Sequence, residues 1–476
     1  DTKAGILARS NISHRGLKNG KDFNGKGEDL VITGLQATGS MEALNIAIDK
    51  ASIAKLKIEL EQKHDNGKST GNKQTSTPIL NGWIKSFSIA NIAAGDVAVN
   101  MYAPAEKKQV FSFNKNALVI SNFKLDTTAT MDGSLLKTAE DVVLKNDLIT
   151  FKSKDNLYTY ACKGLTVRLR GKSISLKEFA IQPMLAEQAF ANKAVVQKDR
   201  YDVQVRNITL TGVDFEKALN GGLSVDKITA SNNSLKIYRD ISKPLDSISK
   251  VGNSPHQLLY KLKLPVAIYK LIATNTLIQF KERNGLSDTS GSISFANSVI
   301  QIDNIINHVK PGKSIMNFNM SGKFIGQVPV DVNIRFYLDR FRDGYTEIAV
   351  KSAHHFNGTI LNKSIEPMGL VRIDRGNIYS LDANLTTDNY YARGKFTMQY
   401  DDLKLTLLKR KKQSGNFKKR DILSLIANVV VKNSNPKNGN LRTANVNFRR
   451  NDYKSFFNMI WKFAFTAIKD VMGAKL

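Results

Sequence analysis

The chain of 476 residues is 42% apolar and 24% charged, which excludes a disordered polymer and a polytopic membrane protein. Its 70 Lys and Arg against 42 Asp and Glu leave a net charge of +28, which points to a polyanionic partner, either nucleic acid or an anionic membrane face. The single cysteine, Cys162, excludes an intrachain disulfide framework and a cysteine-built metal cluster.

Residues 1–43 read as a β segment. The chain opens at Asp1 with no initiator Met and no basic stretch leading into an apolar one, and no uninterrupted apolar run of about 18 residues follows. The expectation is a mature or truncated form whose targeting or anchoring segment lies upstream.

Residues 44–451 read as one continuous repeat. A six-residue pattern, apolar-x-x-apolar-x-apolar (or Ala), recurs as ITGLQA (32–37), IKSFSI (84–89), ISNFKL (120–125), LKEFAI (176–181), VRNITL (205–210), VDKITA (225–230) and IYKLIA (268–273), with a looser YDDLKL at 400–405. Period-2 alternation surrounds each copy, as in LKIYR at 235–239, so these are strands. Two polar residues between apolar ones put the pleat out of phase, and a bulge or bend restores the facing. The same bend in successive strands folds a sheet into a trough. The predicted fold is therefore mainly β: an elongated antiparallel sheet bent into an apolar trough, with few short helices. Scarce proline, 10 residues, suits it.

Short helical segments are predicted at 214–219, at 254–262 (entered by Ser-Pro) and at 421–427. Loops are predicted at 64–78, 126–133, 286–291 and 409–419. The longest helix is predicted at 452–472, entered by Asp452 and ended by Gly473, and it makes 452–476 an amphipathic C-terminal element.

Catalytic and metal-binding patterns are missing from the sequence. Only His354 and His355 are neighbours, and adjacent strand residues face opposite ways. Gly67-Lys68-Ser69 lacks the glycine that a phosphate loop needs five positions earlier, where Gln62 stands. Asp401-Asp402 diverge on a strand for the same reason as the histidines. The stretch 393–400 (RGKFTMQY) approaches the basic-Gly-aromatic strand of an RNA-recognition sheet but fails at Lys395 and Phe396. The expectation is a protein without catalytic residues, cofactor, metal or nucleic-acid partner.

Charge and grease converge at the C-terminus. From Arg393 onward there are 19 Lys/Arg and 5 Asp, including Arg449-Arg450 just before the helix. On a helical wheel Phe457, Ile460, Trp461, Ala464, Ala467, Ile468 and Val471 share a face, Lys454, Asn458, Lys462, Lys469 and Asp470 lie opposite, and Phe456, Phe463 and Phe465 widen the apolar sector. Two readings stay open, a cap over the end of the sheet or an interfacial helix on an anionic membrane.

The segments at 202–240 (DVQVRNITLTGVDFEKALNGGLSVDKITASNNSLKIYRD), 265–282, 366–408 and 424–473, ending in SFFNMIWKFAFTAIKDVMG, carry a resemblance. Their order resembles AsmA-like proteins of the Bacteroidota cell envelope, relatives of the bridge-like lipid-transfer group that includes TamB and YhdP. It covers most of the chain from about Leu44 and consists of β-repeat texture rather than a site signature. The resemblance implies an N-terminal membrane anchor, a periplasm-facing trough and the handling of phospholipid or another envelope lipid, with envelope protein partners unspecified.

The leading expectation is a non-catalytic lipid-binding or lipid-transfer protein. The alternative is a structural envelope protein with a filled β core. Trough-lining candidates are Phe87, Phe123, Phe179, Ile208, Ile228 and Leu271; membrane-contact candidates are Phe456, Phe457, Ile460, Trp461, Phe463, Lys462, Arg449 and Arg450.

Overall fold

A computed structural model describes residues 2–6, 10–18, 21–40, 43–62, 84–102, 109–126, 139–219, 221–284, 290–308, 315–410, 423–429 and 431–473. The protein is mainly β, 64% strand and 14% helix, and its mixed sheet is not closed. The chain divides into two compact units: Asp1–Lys152 with Tyr160–Phe179, and Ser153–Thr159 with Ala180–Leu476.

Unit 1 contains β1 (Thr2–Ile6), β2 (Ser10–Lys18), β3 (Lys21–Ser40), β4 (Ala43–Gln62), β5 (Ile84–Tyr102), β6 (Gln109–Asp126) and β7 (Asp141–Lys152). Strands β8 (Tyr158–Arg168) and β9 (Ser173–Pro183) have residues in both units. From β3 to β7 each strand pairs with the next, antiparallel except for the parallel pair β4–β5.

The phase slip read in the sequence is visible here. Gly34 on β3 and Asn122 on β6 have φ of 68° and 49°, and the ladder between β4 and β5 lapses at Asp49 and Ala90. Before and after this line the apolar residues change parity, yet they stay on one face. Ile48, Ala51 and Ile89 form one cluster, with Ile32, Leu35, Phe87 and Ile92 packed against it. A Cβ at Gly34 would lie 2.0 Å from Asp49 Oδ2, so this position requires both glycine's backbone freedom and its lack of a side chain.

Unit 2 runs α1 (Glu187–Ala194), β10 (Arg200–Thr211), α2 (Phe215–Leu219), β11 (Leu223–Asp240), α3 (Pro255–Tyr260), β12 (Val266–Arg283), β13 (Gly291–Ile306), β14 (Ile315–Phe324), β15 (Val328–Tyr337), β16 (Thr346–Ser352), β17 (Phe356–Asn357), α4 (Asn362–Gly369), β18 (Val371–Thr387), β19 (Tyr391–Arg410), β20 (Leu423–Val429), β21 (Thr443–Arg449) and α5 (Phe456–Met472). Here β11 and β12 are parallel. The expected all-antiparallel sheet is thus corrected to a mixed one. A parallel neighbour needs a crossover, and 241–265, which carries α3, supplies it.

The slip line of unit 2 is written in asparagine. Asn207, Asn232, Asn275 and Asn297 have φ between 47° and 60°, one on each of β10 to β13. Asparagine tolerates this left-handed backbone better than other residues with a Cβ except aspartate. Asn275 Nδ2 donates to Asn232 Oδ1 at 2.6 Å, and Asn207 Nδ2 to Ser231 Oγ at 2.9 Å. Buried Asn233, Thr276 and Ser298 line the line's apolar side, where Asn233 Nδ2 donates to Thr276 Oγ1 at 3.0 Å. The left-handed residue is the third of its hexapeptide in ITGLQA, ISNFKL and VRNITL; in VDKITA and IYKLIA it falls two residues beyond the copy.

Rows of apolar side chains cross the strands on both sides of that line. One runs Leu210, Ile228, Leu271, Ile302, Phe318, Ile334, Ile348, Leu385, Gly394, Val446, each directly opposite the next from β10 to β21. Beyond the line run Val203, Leu235, Ile278, Phe295, Phe324, Val328 and then Tyr201, Ile237, Phe280, Ile293.

Of the expected helices, α2 and α3 form where predicted, α3 with Ser254 and Gln257 as a capping box. The helix expected at 421–427 is instead strand β20, hydrogen-bonded to β19. α1 and α4 were not legible, being short and mixed in polarity. Loops at 64–78 and most of those at 126–133, 286–291 and 409–419 lie outside the described residues.

Candidate functional site

The apolar rows are covered to different degrees. In unit 2, α5 covers the rows where they cross β19 and β21, and its Phe456 reaches Phe336 on β15. Phe456, Met459, Phe463, Ala467, Val471 and Met472 point inward and join Ile334, Phe336, Ile348, Leu385, Phe396 and Val446 in one core. Ser455 caps the helix by accepting from the Asn458 backbone N–H, and Gly473, at φ 63°, ends it. Asp452 therefore does not enter the helix.

The inward stripe is rotated from the face expected on sequence. Phe456 and Phe463, 2% and 1% exposed, belong to the core and are corrected from membrane-contact candidates to packing residues. Arg450 is corrected likewise. It is buried, and its guanidinium donates to the carbonyls of Asn389, Lys250 and Lys454, with burial pushing its pKa down. Ile460 is half-buried against the core. Exposed are Phe457, Trp461 and Phe465, one turn apart, together with Lys462 and Arg449. The ammoniums of Lys462 and Lys469 lie 5.5 and 5.6 Å from the Phe465 ring centre. The helix is thus a cap that also presents an aromatic and basic stripe.

Over β10–β12 and over unit 1 most members of the apolar rows are half-buried, although Ile48, Ala51, Ile89, Ala94, Val142 and Ile208 are buried. Ile228 and Leu271 are direct cross-strand neighbours, half-buried, with buried Ile208 one pleat from Leu210 in the same row. Phe87 and Phe123 sit on adjacent strands, opposite Leu125 and Ile89. Phe179 is half-buried on β9. The six trough candidates therefore fall into a unit 1 set, Phe87, Phe123 and Phe179, and a unit 2 set, Ile208, Ile228 and Leu271. Among the described residues unit 1 carries no helix of its own to cover its rows.

Sequence reasoning missed a charged cluster in unit 2. Arg239 Nε and Nη2 donate to the Asp199 carboxylate at 2.6 Å each. Tyr201 beside them has its pKa pushed up to about 12, by burial first and by Asp199 second. Burial raises Glu282 against the pull of Arg239, Lys454 and Lys462, and burial lowers Lys454. The signal was present: on the far side of Asn275, Glu282 keeps step with Ile278 and Phe280. It can be seen only once the slip is placed.

His354 and His355 are both exposed, and His355 stacks on Tyr379. No group of three or more His, Cys, Asp or Glu side chains that could hold a metal occurs among the described residues. No helix among them is long and apolar enough to cross a membrane. These observations define a mainly-β protein with an open mixed sheet. No family model matches the chain, and no curated protein matches it.

Proposed function

We propose that the protein is a non-catalytic lipid-binding or lipid-transfer protein of the bacterial cell envelope, AsmA-like in kind and facing the periplasm. The observation that carries this is the apolar face of unit 1. Leu30, Ile53, Ala94, Leu118 and Leu144 form one cross-strand row, and Ile32, Ala51, Ile92, Ile120 and Val142 the next. Apolar area of this extent favours acyl chains at roughly 25 cal/mol per Å² covered. Phe457, Trp461 and Phe465, with Lys462 and Lys469, would rest on an anionic bilayer, apolar rings below and ammoniums at the headgroups.

The second reading, a scaffold with a filled core, is favoured by the packing of α5 into the core of unit 2. Mass spectrometry of organic extracts from the purified full chain separates the two. Phospholipid near one or more equivalents per chain supports lipid binding, and a clean extract supports the scaffold.

A further inference from the structure

The apolar rows of unit 2 end in charge. On β12 Ile278, Phe280 and Glu282 occupy alternate positions, so the Glu282 carboxyl points to the apolar side. Its cross-strand neighbours are Arg239 on β11 and Gly291 on β13. A Cβ at Gly291 would lie 2.3 Å from Met368 Cγ, so α4 packs against the sheet there. Lys454 and Lys462, just before and on α5, act on Glu282 electrostatically, as Arg239 does.

The charges are unevenly committed. Arg239 is neutralised by its two bonds to Asp199 and lies 5.9 Å from the Phe280 ring centre. Lys454 donates to the neutral Gln197 amide oxygen at 2.6 Å. Glu282, although half-buried, has no hydrogen bond or ion pair among the described residues, and Lys454 and Lys462 form no ion pair with any carboxylate among them. A carboxylate withdrawn from water without a donor is costly. One unpaired carboxylate within electrostatic reach of two ammoniums that lack a carboxylate partner is complementary to a group carrying both signs.

We infer that this cluster binds the headgroup of a phospholipid with a primary ammonium two carbons from its phosphate. The ammonium sits on Glu282, the phosphate on Lys454 and Lys462, and the acyl chains run along half-buried Leu235, Ile237, Ile278 and Phe280. This deepens the lipid-binding reading and rests on it. A headgroup with phosphate alone would bring a second negative charge to Glu282 and leave the carboxylate without a donor.

The test is competition on the full chain, with dioleoylphosphatidylethanolamine, dioleoylphosphatidylglycerol and oleate each displacing a pyrene-labelled fatty acid. The wild type is expected to prefer the ethanolamine lipid over the glycerol lipid about tenfold, the size of one charge-assisted hydrogen bond. Glu282→Gln keeps the shape and removes the unpaired charge. It is expected to bring that ratio to about one. Lys462→Gln, at an exposed position, is expected to weaken both phospholipids. An unchanged ratio in Glu282→Gln overturns the assignment, as does equal binding of both phospholipids by the wild type, while the lipid-binding reading survives. If none of the three displaces the probe, both fall.

Discussion

In unit 1 the row Ile32, Ala51, Ile92, Ile120, Val142 crosses five strands with only Ala51 and Val142 buried; in unit 2 Ile334, Ile348, Leu385 and Val446 are all buried in a row crossing β15 to β21. Both stretches share one grammar, alternating strands with apolar residues gathered on one side. The difference is α5, whose Phe456, Met459, Phe463 and Met472 pack into the core of unit 2. Strand pattern makes an apolar face, and a separate element decides whether that face becomes core or surface.

The largest expected effect comes from placing a charge on each face. Phe396→Lys, at a position 1% exposed beneath α5, is expected to cost on the order of 4 kcal/mol or more and abolish the folded unit in urea titrations. Ile120→Lys, half-buried in unit 1, is expected to cost under about 1 kcal/mol and to lose extractable lipid. Unfolding of both would make unit 1 a filled core as well.

Next are the two sides of α5. Phe463→Ala should lower stability by about 3–5 kcal/mol, whereas Phe457→Ala, 63% exposed, should stay within about 0.5 kcal/mol by thermal melting. Deleting the helix is expected to destabilise unit 2 for the same reason. Its membrane role is better read from a Phe457→Ser, Trp461→Ser, Phe465→Ser triple variant, which should fold and float poorly with phosphatidylglycerol vesicles.

The filled core also carries a pH signature. His256 on α3 lies 5.4 Å from the Phe336 ring with both nitrogens unpartnered, and burial lowers its pKa to about 4 despite Asp343 nearby. The unfolded imidazole titrates near 6.5, so as pH falls the unfolded chain takes up the proton first. The contribution is full above about pH 6.5 and is lost down to about pH 4, roughly 3 kcal/mol in all. His256→Leu should flatten that part of the urea-stability profile.

The smallest effect tests the slip itself. Asn232→Val, at φ 60°, should cost about 1–2 kcal/mol in the same titrations, and Asn232→Gly should be nearly neutral.

The repeat and its bend were legible because a one-residue change of phase leaves a mark in any alternating strand: Val205, Ile208 and Leu210 cannot share a face unless something between them turns, and Asn207 does. The parallel pairs were not, since strand order depends on where connections such as 241–265 return the chain. On α5 the sequence showed grease nearly all round. A wheel cannot rank Phe456 against Phe457 when the sheet that buries one of them is built elsewhere. Arg450 was misjudged for a related reason, as its partners are three carbonyls and leave no trace in side-chain identity.

The contrast between the two faces is tested most directly by position-specific photocrosslinking in cells, with benzoylphenylalanine replacing Ile120 in unit 1 or Ile460 on α5. Irradiation is expected to join phospholipid to the Ile120 position and only protein to the Ile460 position, where the side chain faces the core. Protein-only adducts at both positions would contradict an open, lipid-holding face in unit 1.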